Sequence, residues 1–349
     1  MFLGRLSMMI LAAIGVFMLL SCSPSEPEPP KDATILHGAG ATFPAPLYKE
    51  WISAYQKAHP DIVVDYEAVG SGEGIQRFMS ESVDFGASDA AMSDEQIAQV
   101  ARGVRLIPAT AGIIVLAYNV AGVSELKLPR DVYADIFLGR INKWNDPRIQ
   151  AANPDATLPN LNIVIVARQD SSGTTYAFTN HLSAVSPEWR DRGPGTGKLV
   201  DWPGNAMVAR GNGGVAGRIK ISEGSIGYVE FGFARRAGLR MATLENRSGN
   251  FVPPVAGSGT ATLRHHETKM PDNLRIFFPD PEGEASYPIV TYSWIMLYER
   301  YPDAQKWAAL RSFIEWGLSE GQAISEEIGY CRLPEAVAEL AMNATAEIQ

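Results

Sequence analysis

Arg168, Asp170, Ser172, Gly173 and Thr174 fall in one short segment, "RQDSSGTT", between an apolar run, "NIVIVA", and an amphipathic one, "TTYAFTNHLSAV". A guanidinium is a planar fork suited to an oxyanion. Hydroxyls add donors, and glycine lets the main chain approach closely. The first N–H groups of a helix lack intrahelical partners, and the helix dipole favours negative charge there. The segment therefore holds the parts of a small-anion site. A single serine or threonine in it would only cap its own helix, so a site requires more segments of the same kind.

Three more are present. "AGATFPAP" follows the run "ATILHG", "SGEGIQ" follows "YEAVG", and "SDAAMSDE" follows "VDFGA". All are rich in Gly, Ser, Thr and Asp, and three of the four segments run directly into a helix pattern. Ligands of open α/β sheets sit beyond the carboxyl ends of the strands. Four such loops, converging, make a cage for a small tetrahedral anion. Asp89 has no basic neighbour in sequence. A carboxylate facing an anion repels it unless the anion brings a proton to share. A protonated phosphate does so; sulfate near neutral pH does not, and would leave the carboxylate unpaired. The plain alternative for Asp89 is an Asx-turn. Asp170, two residues beyond Arg168, is placed to orient it.

The elements that must position these loops alternate. Strands are expected at "ATILHG", "IVVDYEAVG", "VDFGAS", "AGIIVLAYN", "NIVIVAR", "GSIGYVEF" and "PIVTYSWIMLY". Helices are expected at "PAPLYKEWISAYQKAH" with Pro44 in its first turn, at "EGIQRFMSES", at "SDEQIAQVARG" with a Ser93–Gln96 capping box, and through the C-terminal "AQKWAALRSFIEWGLSEG" and "PEAVAELAMNATA". Alternating strands and helices mean an α/β protein with largely parallel sheets.

The N-terminus reads as a targeting segment: Arg5, an apolar stretch and then "LLSC". "LLSC" resembles a bacterial lipobox, which implies a signal peptide at 1–21 and lipid on Cys22. Removing residues 1–21 takes away Arg5 and moves the formal net charge from −9 to −10. An acidic chain argues against nucleic acid as a partner. Residues 22–33, with four prolines, read as an extended tether of roughly 30 Å. With Cys22 lipidated, Cys331 has no partner for an intrachain disulfide.

"GAGATFPAP", "DFGASDA", "GRINKWND", "RQDSSGTTYAF" and "GSIGYVEF", in this order and spacing, strongly resemble the phosphate-binding proteins of the high-affinity phosphate ABC transporter. The likeness runs from about Thr34 to "GYCRLP". It implies a two-lobed periplasmic-binding-protein fold of type II with a two-segment hinge, lobe 1 at 34–112 plus 292–349 and lobe 2 at 113–291. The chain would cross between lobes near Gly112 to Ala117 and Tyr287 to Tyr292. The implied phosphate ligands are the Thr42 hydroxyl, the Phe43 N–H, Ser71, Asp89 as proton acceptor, Arg168 with Asp170 as its buried partner, and Ser172, Gly173 and Thr174. The implied partners are inorganic phosphate, the permease subunits of an ABC importer, and the membrane through the N-terminal lipid only. A monomer on the exported side of the membrane is expected, with no cofactor and no metal. Two departures from the family pattern stand out. "GSGEG" replaces the common "GSSGG" and brings Glu73 near the site, and Ser171 stands where glycine usually follows the second aspartate.

Other readings remain at this stage: a binding protein for arsenate or sulfate, a phosphate-binding sensor or adhesion lipoprotein, or, more remotely, a serine-dependent hydrolase. "SSGTT" and five histidines are present, but no G-x-S-x-G motif is. "GPGTGKL" lacks the glycine and the Ser/Thr of a P-loop. "GNGGVAGRI" is expected to serve the lobe that carries it.

Overall fold

The computed structural model describes residues 32–204 and 206–349; the expected signal segment, Cys22 and most of the tether lie outside the described residues. The strands are β1 (Thr34–Gly40), β2 (Ile62–Glu67), β3 (Phe85–Ser88), β4 (Arg105–Asn119), β5 (Lys127–Leu128), β6 (Val164–Arg168), β7 (Met207–Ala209), β8 (Ser225–Glu230), β9 (Arg240–Met241), β10 (Thr243–Glu245), β11 (Phe251–Val252) and β12 (Val290–Leu297). Among the described residues they form a nine-stranded sheet in the order β2-β1-β3-β12-β4-β8-β6-β7, with β9 on β4, and a small sheet β11-β10-β5.

The expected parallel pairings occupy both flanks: β1 with β2 and β3, and β6 with β7 and β8. The centre is antiparallel, because β12 and β4 run against their neighbours. β4 is the spine of the molecule. It pairs with β12 up to Ile113 and with β8 from Ile114 onward, so one unbroken strand serves both lobes. Residues 106–118 of β4 are buried, as expected of a strand covered on both faces. It starts well before the expected Ala111, in a stretch that contains Pro108. A proline interrupts a ladder only where its missing N–H is needed. Here Pro108 sits at an irregularity: Ser293 faces Thr110 and Trp294 faces Pro108, so Ala109 is an extra residue. The Ala109 carbonyl accepts from the buried Gln322 Nε2 at 3.0 Å.

Three helices differ from the sequence expectation. Helix Ala45–Ala58 takes Pro44 as its cap and Pro46 into its first turn. Helix Ser71–Met79 starts two residues before Glu73, at the left-handed Gly70, φ 99°. Ser71 thus becomes a first-turn residue with an N–H free of helical duty. Helix Asp94–Ile97 has its capping box, but it buries no residue. A helix without a packed face gains little by extending.

Lobe 1 is packed around Trp51, fully buried on helix Ala45–Ala58. Its indole Nε1 donates to the Gly321 carbonyl at 2.8 Å. A Cβ on Gly317 would lie 2.6 Å from the ring and one on Gly321 2.9 Å from it, so two glycines make room for the indole. Trp51→Ala should therefore cost about 3–5 kcal/mol, seen as an earlier lobe 1 transition in urea unfolding followed by circular dichroism.

Candidate functional site

Four chain segments meet between the lobes, three at helix starts and one beyond β3. From lobe 1 come Thr42 and Phe43 before helix Ala45–Ala58, Ser71 at the start of helix Ser71–Met79, and Asp89 beyond β3. From lobe 2 comes the start of helix Gly173–Val185, which follows β6 and Arg168. Ser71, Asp89, Arg168, Ser172 and Thr174 are all buried, each at most 3% exposed. The sheet forces this convergence, because each segment leaves a strand at the end that faces the cleft.

Arg168 and Asp170 form the most constrained pair. Arg168 Nε donates to Asp170 Oδ1 at 2.9 Å and Nη2 donates to Oδ2, a two-pronged contact in which both side chains are buried. Oδ1 also accepts from the Gly211 N–H at 3.0 Å. Burial works to raise the Asp170 carboxyl, but Arg168 outweighs it and holds the group below the usual carboxylate range. A guanidinium has five donors. Two go to Asp170, and Nη1 reaches Thr174 Oγ1 at 3.5 Å.

Asp89 is the opposite case. Burial pushes its carboxyl up to about 7, against the hydroxyl of Ser293, the charge of Arg168 and the hydroxyl of Thr174, which all favour the ionised form. Ser293 Oγ donates to Oδ1 at 2.8 Å. The Asp89 N–H donates to Ser71 Oγ at 3.2 Å, which leaves the Ser71 proton free to be donated. Ser172 does act as a helix cap, its Oγ accepting from Thr175 N at 3.1 Å, yet its own O–H still points outward from that bond as a donor. Its main-chain N–H is committed to the Lys198 carbonyl at 2.8 Å. Gly173 and Thr174 contribute first-turn N–H groups, which have no place in the helical ladder.

Asn212 is the residue that sequence reasoning missed. It opens helix Gly211–Ile221, in the "GNGGVAGRI" stretch expected to serve its own lobe. Instead it reaches across the cleft. Its N–H and Nδ2 donate to Thr42 Oγ1 at 3.2 and 3.1 Å, and Nδ2 also donates to Thr174 Oγ1 at 3.1 Å. Both threonine oxygens are thereby used as acceptors. Tyr228 is a second addition: its hydroxyl accepts from Arg168 N at 3.0 Å and bonds Thr175 Oγ1 at 2.7 Å, tying β6 to the helix that follows it. Nothing in a linear motif marks a tyrosine sixty residues away for that role.

Glu73 does not join the cage. Its side chain is 53% exposed and paired with Arg77 at 2.9 Å. It lines a cavity of about 980 Å³ at the cleft mouth, together with Thr42, Arg77, Asp170 and Gly211. His181 is not a base for a serine. It is fully buried, its ring nitrogens hydrogen-bonded with Tyr133 Oη and the Pro279 carbonyl, and burial lowers it to about 4. Among the described residues no group of His, Cys, Asp and Glu could hold a metal ion, and no helix is long and apolar enough to cross a membrane.

The lobes touch closely. The Gly72 N–H donates to the Ser171 carbonyl at 2.9 Å across the cleft. A Cβ on Gly72 would lie 2.2 Å from Ser171 Oγ, and one on Gly173 2.6 Å from Ser71 Oγ. The absence of a side chain at 72 and the presence of one at 171 are thus a single reciprocal arrangement: the contact has room for one side chain. Gly72→Ser should obstruct closure and weaken oxyanion binding about tenfold, the scale of an overpacked contact. Adding Ser171→Gly to that variant should restore the affinity, read by titration calorimetry.

The profile of the PBP superfamily domain matches residues 25–320. The phosphate-binding protein PstS of Pasteurella multocida is 38% identical over 307 residues, covering 87% of this chain and 88% of its own length. The protein of the same name from Methanocaldococcus jannaschii is 34% identical over 348 residues, covering 93% and 89%. Among solved structures, a high-affinity periplasmic phosphate-binding protein with phosphate bound superposes with a TM-score of 0.71 at 22% identity, covering 87% of this chain and 92% of that one. The phosphate-binding protein of Stenotrophomonas maltophilia gives 0.71 at 20% identity, covering 89% and 94%. These two share the fold.

Proposed function

The chain belongs to the PstS family of phosphate-binding proteins within the PBP superfamily, and on that premise we propose that it captures inorganic phosphate between its lobes and delivers it to an ABC importer. The observation that carries this reading is Asp89, a buried carboxylate in a cage otherwise made of donors. The N–H groups of Phe43, Gly173 and Thr174, the hydroxyls of Thr42, Ser71, Ser172 and Thr174, and the remaining Arg168 donors suit an oxyanion. Asp89 suits the one proton that such an anion carries. Asp170 acts through Arg168, holding the fork in plane. The relatives are named as phosphate-binding proteins, and on this reading the cage binds its anion without turning it over.

The working cycle is capture, closure, docking and release. β4 and the segment entering β12 carry the hinge, with lobe 1 formed by residues 34–112 plus 292–349 and lobe 2 by 113–291. Closure brings Asn212 onto Thr42 and presents a joined surface to the permease. The protein works on the exported side of the membrane, held by lipid on Cys22 and a proline-rich tether. The lipobox-like "LLSC" supports that anchor. Cys22→Ser should move the protein from the membrane to the soluble fraction on cell fractionation.

Titration calorimetry of the anion-stripped protein tests the ligand. Phosphate should bind tightly and sulfate give no heat. Asp89→Ala should weaken phosphate binding about 10- to 100-fold, the range for losing a hydrogen bond to a charged group. A folded parent protein that gives no heat with phosphate rules the reading out.

A further inference from the structure

Asp89 has two carboxylate oxygens, and a ligand with one proton to share can use only one of them. The other is taken by the protein. Ser293, fully buried on β12, donates to Oδ1 at 2.8 Å. Two residues earlier on the same strand, Thr291 Oγ1 shares its proton between the Tyr292 carbonyl at 2.9 Å and the Asp89 main-chain carbonyl at 3.2 Å. β12 therefore grips Asp89 by side chain and main chain together. Ser293 stands at the point where β4 carries its extra residue, so the pairing shifts directly after it. Such a bulge re-aims side chains relative to the ladder. The adjacent Trp294 turns its indole to the Leu274 carbonyl.

We propose that Ser293 is the positioning residue that sets the anion selectivity of the site: by engaging Oδ1 it favours the ionised form of Asp89 and leaves Oδ2 as the acceptor for one ligand proton. This rests on the phosphate reading above. Burial alone drives the carboxyl toward its neutral form, and the Ser293 hydroxyl is the foremost group working against that. The other groups facing Asp89 are the Arg168 guanidinium, the Thr174 and Ser71 hydroxyls, and the phenols of Tyr48, Tyr66 and Tyr330. Burial raises all three phenols well above the ordinary tyrosine value, so they stay neutral from pH 6 to 8.5. Without the serine hydroxyl, Oδ1 has no donor, and a buried carboxylate in that state takes up a proton. A protonated Asp89 offers a donor where the ligand O–H needs an acceptor. It then disfavours phosphate and accommodates sulfate, whose oxygens only accept.

The test is titration calorimetry of the full chain, stripped of bound anion, with sodium phosphate and with sodium sulfate at pH 7.5 and 8.5. The parent protein should bind phosphate and not sulfate. Ser293→Ala should bind phosphate about tenfold more weakly, the scale of one orphaned buried acceptor. It should also gain sulfate binding that strengthens as the pH falls. Ser293→Thr, which keeps the hydroxyl, should retain the parent's selectivity. A packing role alone would weaken both anions together and create no sulfate site. An unchanged ratio of phosphate to sulfate affinity in Ser293→Ala overturns the proposal, whether both affinities hold or both fall. If that variant does not fold, Ser293→Cys, a weaker donor of similar size, carries the same comparison. A parent protein that fails to bind phosphate overturns the underlying reading and this proposal with it.

Discussion

Burying a carboxylate beside an anion site is unfavourable unless every other polar group nearby is turned to compensate, and Asp89 imposes that condition on its whole surroundings. Within the cage stand one guanidinium and two carboxylates, Arg168 against Asp170 and Asp89. Arg168 is largely neutralised by its partner. The attraction for an anion therefore comes from oriented dipoles: hydroxyls whose oxygens are already occupied, and N–H groups at helix starts. Such donors are strong where water is excluded, and they need no net positive charge. An acidic protein can hold an anion on these terms.

The lobes are shaped to deliver those dipoles. Helices starting at Ala45, Ser71, Gly173 and Gly211 all begin at the cleft, and the strands that feed them come from both flanks of a single sheet. β4 makes that sheet continuous by exchanging β12 for β8 at Ile113 and Ile114. Asn212 links the two sides of the cleft. Its contact with Thr42 crosses the cleft, while its contact with Thr174 stays on its own side, so one amide joins the two walls.

Close approach requires small residues where the lobes touch. Gly72 and Gly173 have no space for a Cβ. Glu73, one residue from this contact, is tolerated because its helix turns it to the cleft mouth and Arg77, one turn later, pairs with it. A charge there interacts with the anion through water, where it is screened, whereas the same charge within the cage would be felt in full.

The local alternation of apolar runs with Gly-, Ser- and Thr-rich turns pointed to the α/β class and the strand-to-helix segments, the family resemblance singled out Thr42, Ser71, Asp89, Arg168 and Ser172 to Thr174, and the fold brings these residues together. Each of these lies at a turn whose chemistry is written within a few neighbouring residues. Asp170 as the partner of Arg168 was legible for the same reason, being two residues away. What the linear chain did not disclose were contacts made by distant segments: Ser293 on Asp89 across 204 positions, Asn212 on Thr42 across 170, and Tyr228 behind Arg168 across 60. Serine, asparagine and tyrosine are common residues, and no local pattern singles these three out. Strand register and lobe closure decide which hydroxyl or amide reaches which carboxylate, and both are set by the packing of the whole sheet.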